Sequence, residues 1–372
     1  MELKEAVEGS TQILIPEQDE NSAFPPGTAQ IFYNRRMAIN RDATVLLLSV
    51  ARPSDYVDAM GATGIRGLRV ANECDIETTI NDRNPRAVSM IQTNVQALGL
   101  GNVHVSCEDA NVLLSGKRFD AVDIDPFGTP APFIDSAVRA TRRFLFVTAT
   151  DTAPLCGAHK KAGIRRYFSN PLNTEYHAEV GLRTLLGFVA RETVKYDRGI
   201  VPLFCFSHEH FIRLHLRLTR GARAADRTIG EIGYIMQCPD CAFRKEVRGL
   251  VLEGHRCEHC GATLIPVGPL WTGGLQSCEI LDAMLSCLPS MHLTASVELE
   301  KIIVLCREEL PVPWCYDYHQ LAKQEHCSPV PLGHLLSSLH ARGYPATRCH
   351  YLGTGIKTTA PLPLILSIIR GD

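Results

Sequence analysis

Between residues 55 and 147, short β-rich runs alternate with helix-length segments, and this rhythm constrains the fold more than any other feature of the chain. A strand can rejoin its neighbour in parallel only after a crossover of about a dozen residues or more, usually helical, so the pattern implies βαβ units and a mostly parallel sheet. The expected strands are 56–59, 77–80, 103–105, 119–124 and 144–148, with helices between them. A helix is expected across 31–50, where Met37, Val45 and Leu48 recur at helical intervals and Asn40, Arg41 and Asp42 fall on the polar side as a functional lip. Another is expected over 175–191. The run 211–218, Phe-Ile-Arg-Leu-His-Leu-Arg-Leu, alternates as a half-buried antiparallel strand does. Upstream, 11–15 has a short strand pattern, followed by a Pro/Gly-rich loop through Pro25, Pro26 and Gly27.

A length of 372 residues exceeds one ordinary domain. The α/β rhythm stops after Arg220-Gly221-Ala222-Arg223, which predicts a first domain over 1–226, with 1–50 as its lip, and a second over 227–372. The net charge is only −2, so a nucleic-acid partner has to be held by local basic patches and not by a globally positive body. The first residues are polar and acidic, unlike a signal peptide, and no apolar run is long enough to span a bilayer. A cytoplasmic, membrane-free monomer with no obligate protein partner is the expectation. Most of the 14 cysteines, among them Cys74, Cys107, Cys156 and Cys205, sit singly among apolar residues and read as core thiols.

Chemistry concentrates at the strand ends. The glycine-rich turn Met60-Gly61-Ala62-Thr63-Gly64-Ile65-Arg66-Gly67 follows the first strand; its glycines let backbone approach a ligand, although their spacing departs from the dinucleotide fingerprint. Asp82 follows the second strand, where a carboxylate can accept both hydroxyls of a ribose, and Asp109, before Ala110, follows the third. Adenosine recognition of this kind suits either S-adenosylmethionine or a nicotinamide cofactor. The fourth strand ends in Asp123-Ile124-Asp125-Pro126-Phe127-Gly128. An exocyclic base amine is a poor nucleophile, because its lone pair is drawn into the ring. It needs a hydrogen-bond acceptor and a flat surface to hold the ring, and Asp125 and Phe127 supply both. The same residues offer no obvious proton donor to a hydride acceptor, so methyl transfer is the better fit. The competing reading of Asp-Pro-Phe is an acidic strand end followed by a proline turn.

These segments carry a family resemblance. Phe32-Tyr33-Asn34 with Asn40-Arg41-Asp42, Ala62 to Gly67, Asp109-Ala110-Asn111, Asp123 to Gly128, Thr148 to Asp151 with Pro154 to Gly157, and Gly353 to Thr358 together resemble the Trm1 family of tRNA (guanine-26-N2)-dimethyltransferases. The resemblance implies a Rossmann-like class I S-adenosylmethionine-dependent methyltransferase sheet, a smaller α+β C-terminal domain with a zinc-ribbon-like insert, tRNA as partner, and one or two methyl transfers. It also implies roles: Arg41 and Arg66 near the methionine moiety, Asp82 on the ribose, Asp109 and Ala110 on the adenine, Asp125 as the catalytic group, and Phe32 and Phe127 holding a flipped base. A two-bond pairing of Arg41 with the methionine carboxylate suits its planar fork. On residues alone, Phe32 reads as core.

Cys238-Pro-Asp-Cys241 and Cys257-Glu-His-Cys260, 15 residues apart, have the spacing of a closed structural Zn2+ site, against the alternatives of paired disulfides or free thiols. Local basic clusters at His159-Lys160-Lys161 with Arg165-Arg166, and at Arg139 with Arg142-Arg143, are candidate phosphate contacts. Over 310–372, two short helices at 317–323 and 332–339 and a strand at 344–351 suggest either a winged-helix-like RNA-binding module or plain helical packing. Lys357 beside Gly355 is a further candidate phosphate contact.

Overall fold

The protein is described by a computed structural model covering residues 3–17, 31–252 and 254–371. The expected loop through Pro25–Gly27 lies outside the described residues. A hairpin of β1 (Leu3–Glu8) and β2 (Thr11–Pro16) comes first. It is followed by α1 (Ala38–Ala51), β3 (Asp55–Asp58), α2 (Ile65–Cys74), β4 (Glu77–Asn81), α3 (Pro85–Leu98), β5 (Val103–Ser106), α4 (Ala110–Gly116), β6 (Phe119–Ile124), α5 (Ile134–Ala140) and β7 (Thr141–Ala149). Next come α6 (Thr152–Leu155), α7 (Lys160–Tyr167), α8 (His177–Val194), β8 (Arg198–His208) and β9 (Phe211–Arg220).

Seven strands form one sheet in the order β5-β4-β3-β6-β7-β9-β8. β3 to β7 pair in parallel, as the helical crossovers require, whereas β8 and β9 are joined by only two residues and therefore run antiparallel. The chain moves outward from β3 on one side through β4 and β5, and on the other through β6 and β7. A ligand crevice opens at such a reversal, beyond the carboxyl ends of the strands.

Two compact units divide the chain: residues 1–148, 213–218 and 277–303 in one, and 149–212, 219–276 and 304–372 in the other. Within the first, α1 begins later than its apolar spacing suggests. Residues 31–34 stay outside the helix, and the Asn34 side chain accepts from the Arg36 N–H at 2.9 Å to cap a 3-10 turn, Arg35–Met37, that leads into α1. Asn40, Arg41 and Asp42, expected on a polar lip, are all buried. Each is instead enclosed by a partner: Asn40 accepts from Arg66, Arg41 grips Glu8, and Asp42 pairs with Arg69. β9 also departs from expectation. Arg213 and His215 are fully buried, so both faces of the strand are covered.

The reason lies in β6, all six residues of which are buried, Asp123 included. A charge there is tolerated only when paired and hydrogen-bonded. Arg213 grips it with both terminal nitrogens, Nη1 to Oδ1 at 2.8 Å and Nη2 to Oδ2 at 2.6 Å, and Tyr56 donates its hydroxyl to Oδ2 at 2.9 Å. Arg213 also donates to Thr148 at 2.8 Å and Thr44 at 2.7 Å, which ties β7 and α1 to the same point.

In the second unit, strands Arg244–Arg248, Ile232–Gln237 and Ile265–Trp271 form an antiparallel sheet in that spatial order. Toward the C-terminus, Tyr316–Asp317, Gly355–Thr358 and Ala346–Arg348 make another three-stranded sheet. Tyr318, Leu321, Leu335, Leu339, Ile356 and Ile365 fill one core under it, so helices and strands pack together and the plain helical alternative does not hold. Lys357 is not a phosphate contact: it is buried, paired with Glu179 and Glu309, and donates to the Val312 carbonyl at 2.8 Å. Among the cysteines read as core, Cys156 and Cys205 are buried but Cys107 is exposed, because β5 ends one residue before it.

Replacing Arg213 with Met leaves the Asp123 carboxylate buried without its main partner. The expected loss is about 3–5 kcal/mol of stability, read from the denaturant midpoint by circular dichroism, with part recovered in the Arg213→Met/Asp123→Asn double variant.

Candidate active site at the sheet edge

The glycine turn after β3 is shaped by packing as much as by any ligand. Gly64, which caps α2 with a φ of +83°, admits no side chain without strain. A Cβ on Gly61 would lie 2.5 Å from Ile80 of β4. These close approaches seat α2 against the sheet and present the N–H of Ala62, itself at a φ of +50°, to Asp82 Oδ2 at 2.9 Å. The other Asp82 oxygen accepts from the Asn84 N–H at 2.8 Å. Asp82 is therefore fixed at the end of β4, and each of its oxygens keeps a second lone pair for a ligand hydroxyl.

Asp109 caps α4, with Oδ1 accepting from the Asn111 N–H at 2.9 Å, and Ala110 begins the helix, buried. Asp109 Oδ2 has no partner among the described residues. Sequence reading missed the residue that unites these loops. Asn81, fully buried, donates to the carbonyls of Ala59 and Glu108 at 3.0 Å each and accepts from the Glu108 N–H at 3.0 Å. One amide thereby joins the ends of β3, β4 and β5. Its signal was slight: it ends β4 on the face of Glu77 and Thr79, opposite Thr78 and Ile80, where alternation gives no hint of burial.

At the end of β6, Asp125 is 21% exposed and pairs with Arg66. Arg66 is buried and also donates to Asn40 at 3.1 Å and Thr44 at 3.0 Å, with Asp123 3.7 Å away. Burial alone would lower the Arg66 pKa, but Asp123 and Asp125 raise it above its ordinary value, so the guanidinium is a fixed charge. Asp123 is held below the usual carboxylate range: burial pushes it up, and Arg213 and Arg66 more than reverse this.

Phe127, two residues beyond Asp125, is 83% exposed, far from a core position. Phe32 is partly buried and meets it edge-on, with ring centroids 5.7 Å apart and planes at 66°. Phe32 thus stands at the site, and the structure brings together the two aromatics that the sequence separates by 95 positions. Arg41 behaves differently. Its fork is filled by Glu8, with Nε to Oε2 at 2.8 Å, and by the Asn34 carbonyl at 2.9 Å, so the two-bond pairing read for it is made with Glu8. Tyr33 donates its hydroxyl to the same carboxylate at 2.8 Å. This network anchors the segment that carries Phe32.

In the second unit the four knuckle cysteines converge, with all ligand atoms within 4.8 Å of one another. The Cys238–Cys260 and Cys241–Cys257 sulfur separations are 3.4 and 3.6 Å, well beyond a disulfide bond. They lie near the roughly 3.8 Å edge of a tetrahedron with metal–sulfur bonds of about 2.3 Å. Burial would raise the Cys257 thiol, but the N–H groups of Cys260 and His259 lower it, while burial and the neighbouring thiols hold Cys241 above its ordinary value. Cys306, Glu309 and His350 also converge, yet Lys357 lies 3.3 Å from Glu309 and already supplies the cation there.

Asp58, at the end of β3, was not singled out by sequence. Burial raises its carboxyl, Arg66 partly offsets this, and Asp123 and Asp125 add to the rise, leaving it at about 7. The folded protein holds a proton there that the unfolded chain loses near pH 4, so this group's contribution to stability falls as pH rises from about 4 to about 7. Asp58→Asn removes that dependence. The Tm of the variant relative to wild type is expected to climb across this window and then level off; a flat difference would contradict the assignment.

The chain as a whole resembles known proteins. Residues 9–370 match the family model described as N2,N2-dimethylguanosine tRNA methyltransferase. Proteins named tRNA (guanine(26)-N(2))-dimethyltransferase from Methanoregula boonei and Methanoculleus marisnigri are 61% and 57% identical, over 100% of this chain and 99% and 100% of their own lengths. The solved complex of Trm1 from Pyrococcus horikoshii with S-adenosyl-L-methionine superposes with a TM-score of 0.90 at 34% identity, covering 99% of this chain and 100% of that one. With its class I methyltransferase sheet and its cysteine-bearing second part, the chain belongs to the N2,N2-dimethylguanosine tRNA methyltransferase family.

Proposed function

We propose that this protein transfers methyl groups from S-adenosylmethionine to the N2 amine of guanosine 26 in tRNA, once or twice, on a base flipped out of its stem. The observation that carries this reading is the position of Asp125, partly exposed, paired with a buried arginine, and followed by the Phe127–Phe32 pair. Family membership and the donor-bound relative support it.

The residues present suit an adenosyl donor. Asp82 is assigned to the ribose hydroxyls, and Asp109, with its uncommitted Oδ2, to the adenine amine beside Ala110. Arg66 and Arg41 are assigned to the methionine end, where Arg41, already gripped by Glu8, steadies the Phe32 segment. When bound, the donor supplies an electrophilic methyl on a sulfonium. Asp125 accepts an N2–H of the guanine, localises electron density on that nitrogen and takes the proton released as the N–C bond forms. Arg66 fixes the Asp125 rotamer. Phe32 and Phe127 grip the extruded ring and offset part of the unstacking cost. A second transfer requires the monomethylated amine to rotate and fresh donor to bind.

We assign the four cysteines to a structural Zn2+ ion, since a closed set of four thiolates leaves no open position for catalysis. Residues 227–372 are proposed as the main tRNA-binding part, with a winged-helix-like end at 310–372. No described helix is long and apolar enough to cross a membrane, which suits an enzyme acting on cytoplasmic tRNA.

Asp125→Ala is expected to bind donor within a few-fold of wild type but to form N2-methylated guanosine about 10²–10⁴ times more slowly, as measured by nucleoside analysis of tRNA transcripts. A transcript with adenosine at position 26 should remain unmodified; wild-type rates in the variant would remove Asp125 from this role. Purified protein is expected to contain one zinc per chain, and chelation should open 238–260 to limited proteolysis while the α/β sheet stays folded.

A further inference from the structure

The helix α7 is fixed on its inner face and unused on its outer one. A Cβ on Gly163 would lie 2.5 Å from the Pro154 carbonyl oxygen, so the helix backbone sits directly on that turn. Tyr167 packs edge-on to Phe188 at 5.6 Å and donates its hydroxyl to Asp151 at 2.7 Å. Arg191 donates to the Tyr167 carbonyl at 2.6 Å. These contacts leave the helix little freedom to roll.

Lys160, Lys161, Ile164, Arg165 and, just past the helix, Phe168 occupy the outer face. Residues 160, 164 and 168 follow at four-residue steps, so they form one stripe, with Lys161 and Arg165 alongside it. Phe168 is 71% exposed and Ile164 44% exposed. No acidic partner meets Lys160, Lys161 or Arg165 among the described residues, whereas neighbouring Arg166 is neutralised by Asp151 at 3.0 Å. The other basic cluster lacks this character: Arg139, Arg142 and Arg143 are paired with Asp135, Asp55 and Asp120. Phe168 also adopts a φ of +48° at the helix C-cap, a conformation ordinarily given to glycine or asparagine. An exposed phenylalanine there is strained and gains no burial in return, which points to a use outside the fold.

We propose that this face is an additional RNA-binding site, formed by residues outside those assigned to catalysis. Phe168 stacks on an unpaired nucleobase of the substrate, and Lys160, Lys161 and Arg165, which precede it along the helix, neutralise phosphates on that side of the base. Any base offers a π-face to such a ring, and a row of cations running up to a single aromatic suits an RNA strand whose phosphates lead to a splayed base. The inference rests on tRNA being the substrate.

The test uses the full-length protein and tRNA transcripts. Phe168→Ala is expected to raise both the Kd for tRNA and KM by about fivefold or more, without changing kcat or the salt dependence of binding. Phe168→Trp should keep wild-type affinity, and its added indole emission should be quenched by tRNA. Lys160→Ala with Arg165→Ala should reduce the slope of log Kd against log salt by roughly 1.5. Unchanged Kd and KM in Phe168→Ala, together with no quenching in Phe168→Trp, would overturn the proposal. So would concentration-dependent self-association that Phe168→Ala abolishes while tRNA binding stays intact, since the patch would then serve a protein contact. Failure of the wild type to methylate tRNA would count against the catalytic reading alone, because the quenching measurement does not depend on turnover.

Discussion

The ion pair between Asp123 and Arg213 is the interaction on which the catalytic sheet depends. A carboxylate in the middle of a fully buried parallel strand is a large desolvation cost, and only a well-formed, hydrogen-bonded partner makes it tolerable. Arg213 supplies two parallel hydrogen bonds and also donates to Thr44, Thr148 and, through Nε, His215, so β6, β7, β9 and α1 meet at one guanidinium. Arg66 lies against the same carboxylate and reaches past it to Asp125. The pair that stabilises the interior therefore also aims the group proposed to act on substrate.

That coupling accounts for the charge pattern around the site. Three carboxylates, Asp58, Asp123 and Asp125, share two arginines, and the arrangement sets Asp58 apart from Asp123. Asp123, with the most direct pairing, is held ionised, whereas Asp58, with the least, is pushed toward neutrality at about 7. Groups at a strand edge shift apart in this way because each added negative charge in a low-dielectric pocket makes the next less favourable. The aromatic pair beside them is placed by a separate network, Glu8 with Arg41 and Tyr33, which immobilises the segment before α1.

Much of this was legible in the residues. The limits of β6 were read as Phe119–Ile124 and are observed so, because a run of apolar and β-branched residues bounded by lysine, arginine and an Asp-Pro turn leaves few alternatives. The paired Cys-x-x-Cys knuckles converge as expected, since each tight turn brings its own two sulfurs together. Other features were hidden by distance. Asp123 and Arg213 are 90 positions apart, and nothing local in Phe-Ile-Arg-Leu-His-Leu marks the arginine as interior. The same blindness put Asn40-Arg41-Asp42 on the polar side of its helix as a functional lip and made Lys357 look like a phosphate contact. A charged side chain reads as exposed until its partner is known.

The sequence by itself determined the alternation of strands and helices, the carboxylates and glycines at the strand ends, and the spacing of the cysteine knuckles, because period, turn chemistry and short-range geometry are properties of neighbouring residues. Only the tertiary structure decided which charges are buried in pairs, which are left uncompensated on α7, and that Phe32 meets Phe127. Those outcomes turn on the desolvation of groups far apart along the chain, and that energy exists only once the sheet has closed around them.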